Sequence, residues 1–199
     1  MNFLAHAFLS NSFDDEMLGN LMGDFVKGKP DIQLSEAIKN GIFLHRNIDS
    51  FTDSHPTVKA SKTRLFPKYR HYANVIVDVF YDHFLATGWK KYASGSLSEF
   101  AEKVYQLLND KKSLLPKAMQ KMIFYMQSQN WLVSYENSDG ISKALTGIAR
   151  RTKFESGMEF AVRDMEKDYK LYQQEFEQYF PQLIQYVDLL KISAEKQIC

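Results

Sequence analysis

Histidines and aspartates at helical spacing are the residues of this chain whose types suggest chemistry. His45 and Asp49 are four residues apart, and Asp78 and Asp82 repeat that spacing. Residues four apart lie on the same face of an α-helix, one turn from each other, so each pair presents two ligand atoms together. Helical bundles hold divalent metal ions with imidazole and carboxylate groups paired in this way. The two pairs therefore indicate a metal site.

The apolar surroundings of these side chains favour the same interpretation. Asp78 and Asp82 lie within the apolar segment 75–85, and Asp24 and His6 are also flanked by large hydrophobic residues. A buried carboxylate is costly unless it has a cation, a proton or hydrogen bonds. The neighbouring lysines and arginines are too few to neutralise these acids inside a core, whereas a divalent ion can do so. Any one of these residues alone is more often a core or capping residue, but the set favours a site.

Helices must position these residues, because apolar side chains recur at helical spacing and period-two alternation is nearly absent. The chain has no internal repeat and no linker long enough to divide domains, so we expect one all-α domain over residues 1–199. The predicted helices are 2–10, 14–27, 35–51, 72–88, 98–109, 115–129, 140–152, 155–179 and 181–197. Asp53 is predicted to begin a loop, and Pro181 is predicted to separate the last two helices.

Composition excludes several classes of protein. The chain has 199 residues, 45% of them hydrophobic, which excludes wholesale disorder. Its single cysteine, Cys199, excludes a disulfide framework and a cysteine-rich zinc site. The apolar first ten residues lack a basic leader and a cleavage pattern, and no later apolar run reaches the roughly 20 residues that cross a bilayer. We therefore expect a soluble, cytoplasmic protein with no membrane span.

Four stretches, in order and with characteristic spacing, resemble a known family. They are residues 1–6, 19–28, 41–56 and 78–85, with a weaker match at 147–151. On these stretches the chain resembles the acyl carrier protein phosphodiesterases, distant relatives of the HD-type metal-dependent phosphohydrolases. The resemblance implies an HD-like helical bundle that hydrolyses the phosphodiester between 4′-phosphopantetheine and a serine of holo-acyl carrier protein. The products are the apo-protein and 4′-phosphopantetheine.

The resemblance also implies a divalent metal ion, with Mn²⁺ preferred and Fe²⁺, Zn²⁺ or Mg²⁺ as alternatives. Carried over position by position, the candidate ligands are His6, Asp24, His45, Asp49, Asp78 and Asp82. The pair Asp82-His83 has the reverse order of the pair in HD proteins, which leaves the roles of individual ligands open.

We expect a metal-activated water to attack phosphorus in line, with the metal and a basic side chain stabilising the developing charge. Arg46, next to His45, is the expected phosphate clamp, and Arg150 and Arg151 are second choices. His83 is the expected proton donor to the leaving serine oxygen, with His6 as the alternative. Asp24 is expected to act both as a ligand and as a catalytic residue.

A basic stretch between the two ligand-bearing helices is the expected docking surface for an acidic carrier protein. Its cations are Lys59, Lys62, Arg64, Lys68 and Arg70. The rest of the chain offers no extended basic face, so we do not expect a nucleic acid partner. Two alternatives stay open: a metal phosphohydrolase acting on nucleotides or other small phosphodiesters, and a non-catalytic helical binding protein. The sequence does not determine the oligomeric state.

Overall fold

The chain folds into α-helices joined by short turns. The structure, a computed structural model, describes residues 2–198, and for residues 194–198 it describes the backbone alone. No strand occurs within that range, and the all-α prediction is confirmed. The helices are α1 (Phe3–Ser10), α2 (Asp15–Met22), α3 (Glu36–Ser54), α4 (Pro56–Tyr69), α5 (Ala73–Thr87), α6 (Trp89–Tyr92), α7 (Leu97–Asp110), α8 (Lys117–Ser128), α9 (Trp131–Ser134), α10 (Ser138–Ala149), α11 (Ala161–Lys167) and α12 (Tyr169–Ile198).

Helix ends near the predicted site differ from the predicted ones. α2 ends at Met22 and tightens into a 3₁₀ turn over Gly23–Phe25, so Asp24 lies beyond the α-helix. α3 continues to Ser54, and the predicted loop at Asp53 is therefore wrong. The basic stretch is itself helical, because Pro56 takes the first position of α4, where its missing N–H costs nothing.

The predicted break at Pro181 is also wrong, because α12 passes through it as one helix of 30 residues. Proline removes one backbone hydrogen bond, but tertiary packing contributes more to helix stability than local propensity does. Phe180 and Leu183, on either side of the proline, are fully buried and hold the two halves in place. No described helix, α12 included, combines the length and hydropathy needed to span a membrane.

The tightest helix pair is α2 with α3, and two glycines allow it. A Cβ atom on Gly41 would lie 2.0 Å from the backbone oxygen of Glu16, and one on Gly19 would lie 2.0 Å from that of Ile38. The backbones of α2 and α3 are therefore in contact, and no residue larger than glycine permits this contact at either position. This contact fixes Asn20 of α2 against α3.

α12 ties the ends of the chain together around the central helix α5. Tyr179 Oη lies 2.6 Å from Thr52 Oγ1, and Lys191 donates a 2.6 Å hydrogen bond to the backbone oxygen of Ser10. Buried side chains from Leu4 to Val187 form one continuous core. This arrangement is consistent with an HD-like bundle. The limits of the predicted domain, 1–199, stay a prediction, since Met1 and Cys199 lie outside the described residues.

Candidate metal centre

Two histidines and one aspartate from α1 and α3 converge beside the middle of α3. His6 Nε2 of α1 lies 3.3 Å from Asp49 Oδ1, and His45 Nε2 lies 3.1 Å from Asp49 Oδ2. The two imidazole rings stack with their centroids 4.0 Å apart. One ligand atom from each of the three residues lies within 4.8 Å of the other two, so the group can hold a metal ion. This is the predicted i, i+4 pair with His6 added.

Asn20 orients both imidazoles. Its Nδ2 donates to the backbone oxygen of His6 and to Ser10 Oγ, which leaves Oδ1 as an acceptor. His6 Nδ1 lies 2.8 Å from that Oδ1, and His45 Nδ1 lies 2.8 Å from the backbone oxygen of Asn20. Both Nδ1 atoms therefore carry a proton, and both Nε2 atoms face Asp49. Such anchoring of the far ring nitrogen is usual for metal-binding histidines.

The charges of the cluster also suit a cation. Burial disfavours a charged His45, but its contacts with Asp24 and Asp49 outweigh this and raise its pKa to about 9. Burial and the neighbouring positive charge of His45 lower the pKa of His6. Burial acts to raise the pKa of Asp49, but its contacts with His45 and His6 hold that pKa well below its usual range. His6 Nε2 is buried without a hydrogen bond, a lone pair that a metal ion would use.

Gly23 and Asp24 lie directly over the ring of His45. A Cβ atom on Gly23 would lie 2.1 Å from His45 Cγ, so only glycine allows the 3₁₀ turn to cross the imidazole. Asp24 follows, with Oδ1 3.4 Å from His45 Nε2 and its side chain 66% exposed. Its contact with His45 lowers the pKa of Asp24 and outweighs the opposing effect of burial. The turn thus places an ionised carboxylate at the open side of the cluster.

An acid-rich cavity of about 380 Å³ opens above the cluster. Four carboxylates from three elements and one arginine contribute to its lining: Asp24, Asp49, Asp53, Asp78 and Arg151. Asp78 of α5 thus shares a cavity with Asp49 of α3, although the whole of α4 lies between them in the sequence. The role of Asp78 as a metal ligand stays a prediction.

Asp82 does not share that cavity, and its predicted role as a ligand requires correction. Its side chain is fully buried, with Oδ2 accepting from the backbone N–H of Leu4 at 2.9 Å and Oδ1 from that of Ala5 at 3.2 Å. The first amides of a helix lack partners within the helix, and a carboxylate satisfies them well. Asp82 therefore caps α1 from α5 and supports His6 indirectly.

Replacing Asp82 by alanine should lower the free energy of unfolding by about 2 kcal/mol, because it leaves two buried amides without an acceptor. Asp82→Asn, which keeps one acceptor oxygen, should lose less. Both variants should still bind metal at saturating concentration. Chemical denaturation and metal titration check this, and a stable Asp82→Ala protein that no longer binds metal would restore Asp82 to the ligand set.

The structure also places His83 and Arg46 outside their predicted roles. His83 is buried, with Nδ1 2.7 Å from the backbone oxygen of Tyr135 and Nε2 3.1 Å from Tyr169 Oη, so neither nitrogen is available to a substrate. Arg46 Nη2 donates to the backbone oxygens of Val26 and Gly28 and pins the loop after Asp24. Of the two second choices for the clamp, Arg151 lines the cavity.

The basic stretch is largely neutralised within the chain. Lys62 pairs with Asp53 at 2.6 Å, and Lys68 pairs with Asp164 at 2.7 Å. Arg64 makes a bidentate pair with buried Glu175 at 2.6 and 3.0 Å. Three of the five predicted docking cations therefore already form ion pairs with acidic residues of the same chain. Lys59 and Arg70 are exposed, and a docking role for them stays a prediction.

Helical bundles can hold divalent metal ions between imidazole and carboxylate side chains, and an ion beside an open cavity can take part in hydrolysis. A family model described as "Acyl carrier protein phosphodiesterase" matches residues 1–183. One relative with that name, from Photorhabdus laumondii, is 34% identical over 93% of this chain and 94% of its own length. Another, from Serratia proteamaculans, is 32% identical over 93% of this chain and 96% of its own length. A third, from Yersinia enterocolitica, is 34% identical over 92% and 96%.

The chain therefore belongs to the acyl carrier protein phosphodiesterase family. The comparison covers every residue of the cluster and the cavity lining named above. No solved structure matches the chain.

Asn20 is a functional residue outside the predicted set, although the sequence contains a signal for it. Asn20 lies inside the first glycine-rich stretch, between Gly19 and Leu21, where the apolar spacing places it on the buried face of α2. A fully buried amide needs a dedicated set of hydrogen bonds, and the partners here are the His6 imidazole, the backbone oxygen of His6 and Ser10 Oγ. A polar residue on an apolar face next to a close-packing glycine is thus a usable indicator of a supporting residue.

Proposed function

We propose that this protein is a metal-dependent phosphodiesterase that hydrolyses the link between 4′-phosphopantetheine and the serine of holo-acyl carrier protein. The supporting observation is the convergence of His6, His45 and Asp49 below a cavity that also contains an arginine. The names of the relatives supply the substrate class, and the cavity supplies a place for a phosphodiester next to the ligand atoms.

His6, His45 and Asp49 are the core ligands of this proposal, and Asp24 and Asp78 complete the set. Two imidazoles with carboxylates and no thiolate suit Mn²⁺ or Fe²⁺, and we propose Mn²⁺, with Zn²⁺ and Mg²⁺ as alternatives. When bound, the ion supplies a Lewis acid and an activated water near neutral pH.

The chain's own residues then orient and stabilise the substrate. Asn20 holds both imidazoles in one tautomer, and the guanidinium of Arg151 is the proposed partner of the phosphate oxygens. Asp24 keeps its proposed catalytic role, because its exposed carboxylate is the part of the cluster that a bound substrate meets. His83 and Arg46 are left out of the mechanism. A cytoplasmic location stays part of the proposal, because a single cysteine fits a reducing compartment.

Incubation of the purified protein with holo-acyl carrier protein and Mn²⁺, with and without chelator, tests this function. We expect the carrier to lose the mass of its prosthetic group in the presence of Mn²⁺ and to keep it with chelator. An unchanged carrier together with turnover of nucleotides or another small phosphodiester would favour the alternative phosphohydrolase. An unchanged carrier without any turnover or metal uptake would favour the non-catalytic binding protein.

A further inference from the structure

A second and larger cavity, a groove of about 1010 Å³, lies between α8 and α10 beside the metal cavity. Met122 and Arg151 line both this groove and the metal cavity, so the two spaces meet there. The groove walls come from α8, α9 and α10, which carry none of the proposed ligands. Its position means that a molecule bound in the groove borders on the site of hydrolysis.

The charge of the groove has one sign. Lys121, Lys143, Arg150 and Arg151 line it, and no aspartate or glutamate does. All four cations are exposed, and none forms an ion pair with another described residue. Lys62, Arg64 and Lys68 of the basic stretch are, by contrast, already paired. The groove thus presents cations next to the metal cavity, and these cations are available to pair with a partner.

Exposed aromatic side chains accompany these cations. Tyr125 of α8 lines the groove and is 57% exposed, Trp131 of α9 lies half-buried beside it, and Phe124, also on α8, is 69% exposed. Aromatic residues and arginine are enriched at the centres of protein interfaces, where they anchor a partner. A neutral pantetheine chain would need no such set of cations, whereas an acidic protein surface would.

We propose that this groove, rather than the basic stretch of α4, docks an acidic surface of the carrier protein. The inference rests on the proposed function and names the surface by which the substrate is recognised. A carrier seated between α8 and α10 presents its modified serine at the junction of Met122 and Arg151. From there the phosphodiester reaches the cavity above Asp49.

Charge reversal in the groove tests the proposal. We expect Lys121→Glu combined with Lys143→Glu to raise KM for holo-acyl carrier protein by about 10-fold or more, with a smaller effect on kcat. The salt dependence of kcat/KM should become weaker. The matched control combines Lys112→Glu with Lys117→Glu, which makes the same change in net charge near α8 at exposed residues outside the groove lining. It should change KM by less than about 3-fold.

Fluorescence anisotropy of labelled holo-carrier, measured without added metal, keeps the two proposals separate. Weaker carrier binding by the Lys121→Glu, Lys143→Glu variant than by the control supports the groove as the docking surface, whether or not the enzyme turns the carrier over. Equal affinities of the groove variant, the control and the wild type would overturn it. Failure of the wild type to hydrolyse a carrier that it binds would overturn the proposed function and leave the groove standing. Melting curves show whether each variant is folded.

Discussion

Asp49→Ala is expected to abolish stoichiometric metal binding and to lower turnover of holo-acyl carrier protein by a factor on the order of 1000. Among the side chains that the structure describes, Asp49 is the one carboxylate that contacts the Nε2 atoms of both His6 and His45. Asp49→Ala leaves the two stacked imidazoles in place. It removes the negative charge that favours a cation next to their Nε2 atoms. Metal content after dialysis against Mn²⁺ and the carrier mass assay measure the two effects.

Glu36→Ala provides the control for this experiment. Glu36 is also an acid of α3, but it is exposed and forms a surface ion pair with Lys39. Such pairs contribute at most about 1 kcal/mol, so metal content and turnover should stay at the wild-type level. Retention of one metal ion by folded Asp49→Ala protein would contradict the assignment of the centre.

Gly41→Ala is expected to lower the free energy of unfolding by about 3 kcal/mol or more. The new methyl group would lie 2.0 Å from the backbone oxygen of Glu16 and 2.7 Å from the backbone nitrogen of Asn20. Backbone atoms cannot yield as a flexible side chain does, so α2 must move away from α3. Asn20 moves with it and loosens its hold on His6 and His45. Metal affinity should therefore fall by about 10- to 100-fold as well.

Gly147→Ala is the matched control, because a Cβ atom there meets nothing within 4 Å and the residue lies inside α10. Alanine at such a position should stabilise the protein by about 0.5–1 kcal/mol. Denaturant titration of both variants measures the difference. A Gly41→Ala protein as stable as the wild type would show that α2 and α3 are not held at backbone contact.

Local pattern was enough to predict the helices and part of the centre. The spacing of His45 and Asp49 placed both on one face of α3, and the structure joins them at 3.1 Å. The same spacing at Asp78 and Asp82 could not tell what each residue meets. Asp78 lies at the cavity, whereas one turn later Asp82 meets the amino end of α1. The periodicity of a helix defines a face but not the element that covers it.

Contacts between distant parts of the chain explain the remaining errors. The basic stretch has the composition of a docking surface, but Glu175 and Asp164 neutralise it from 111 and 96 residues away. Pro181 has the local character of a helix break, but the core holds α12 continuous on both sides. Neither pairing nor burial over such separations can be deduced from one sequence. The cationic groove likewise exists only once α8 and α10 are brought together.

The tie between α12 and the first helices has a consequence during synthesis of the protein. The proposed ligands all lie within the first 78 residues and leave the ribosome early. Glu175, Tyr179 and Lys191, which contact α4, α3 and α1, are translated only after all of these ligands. A nascent chain therefore contains the ligand side chains before it contains α12, whose contacts hold α1, α3 and α4 in place. Binding of the proposed metal ion is therefore expected to follow synthesis of α12.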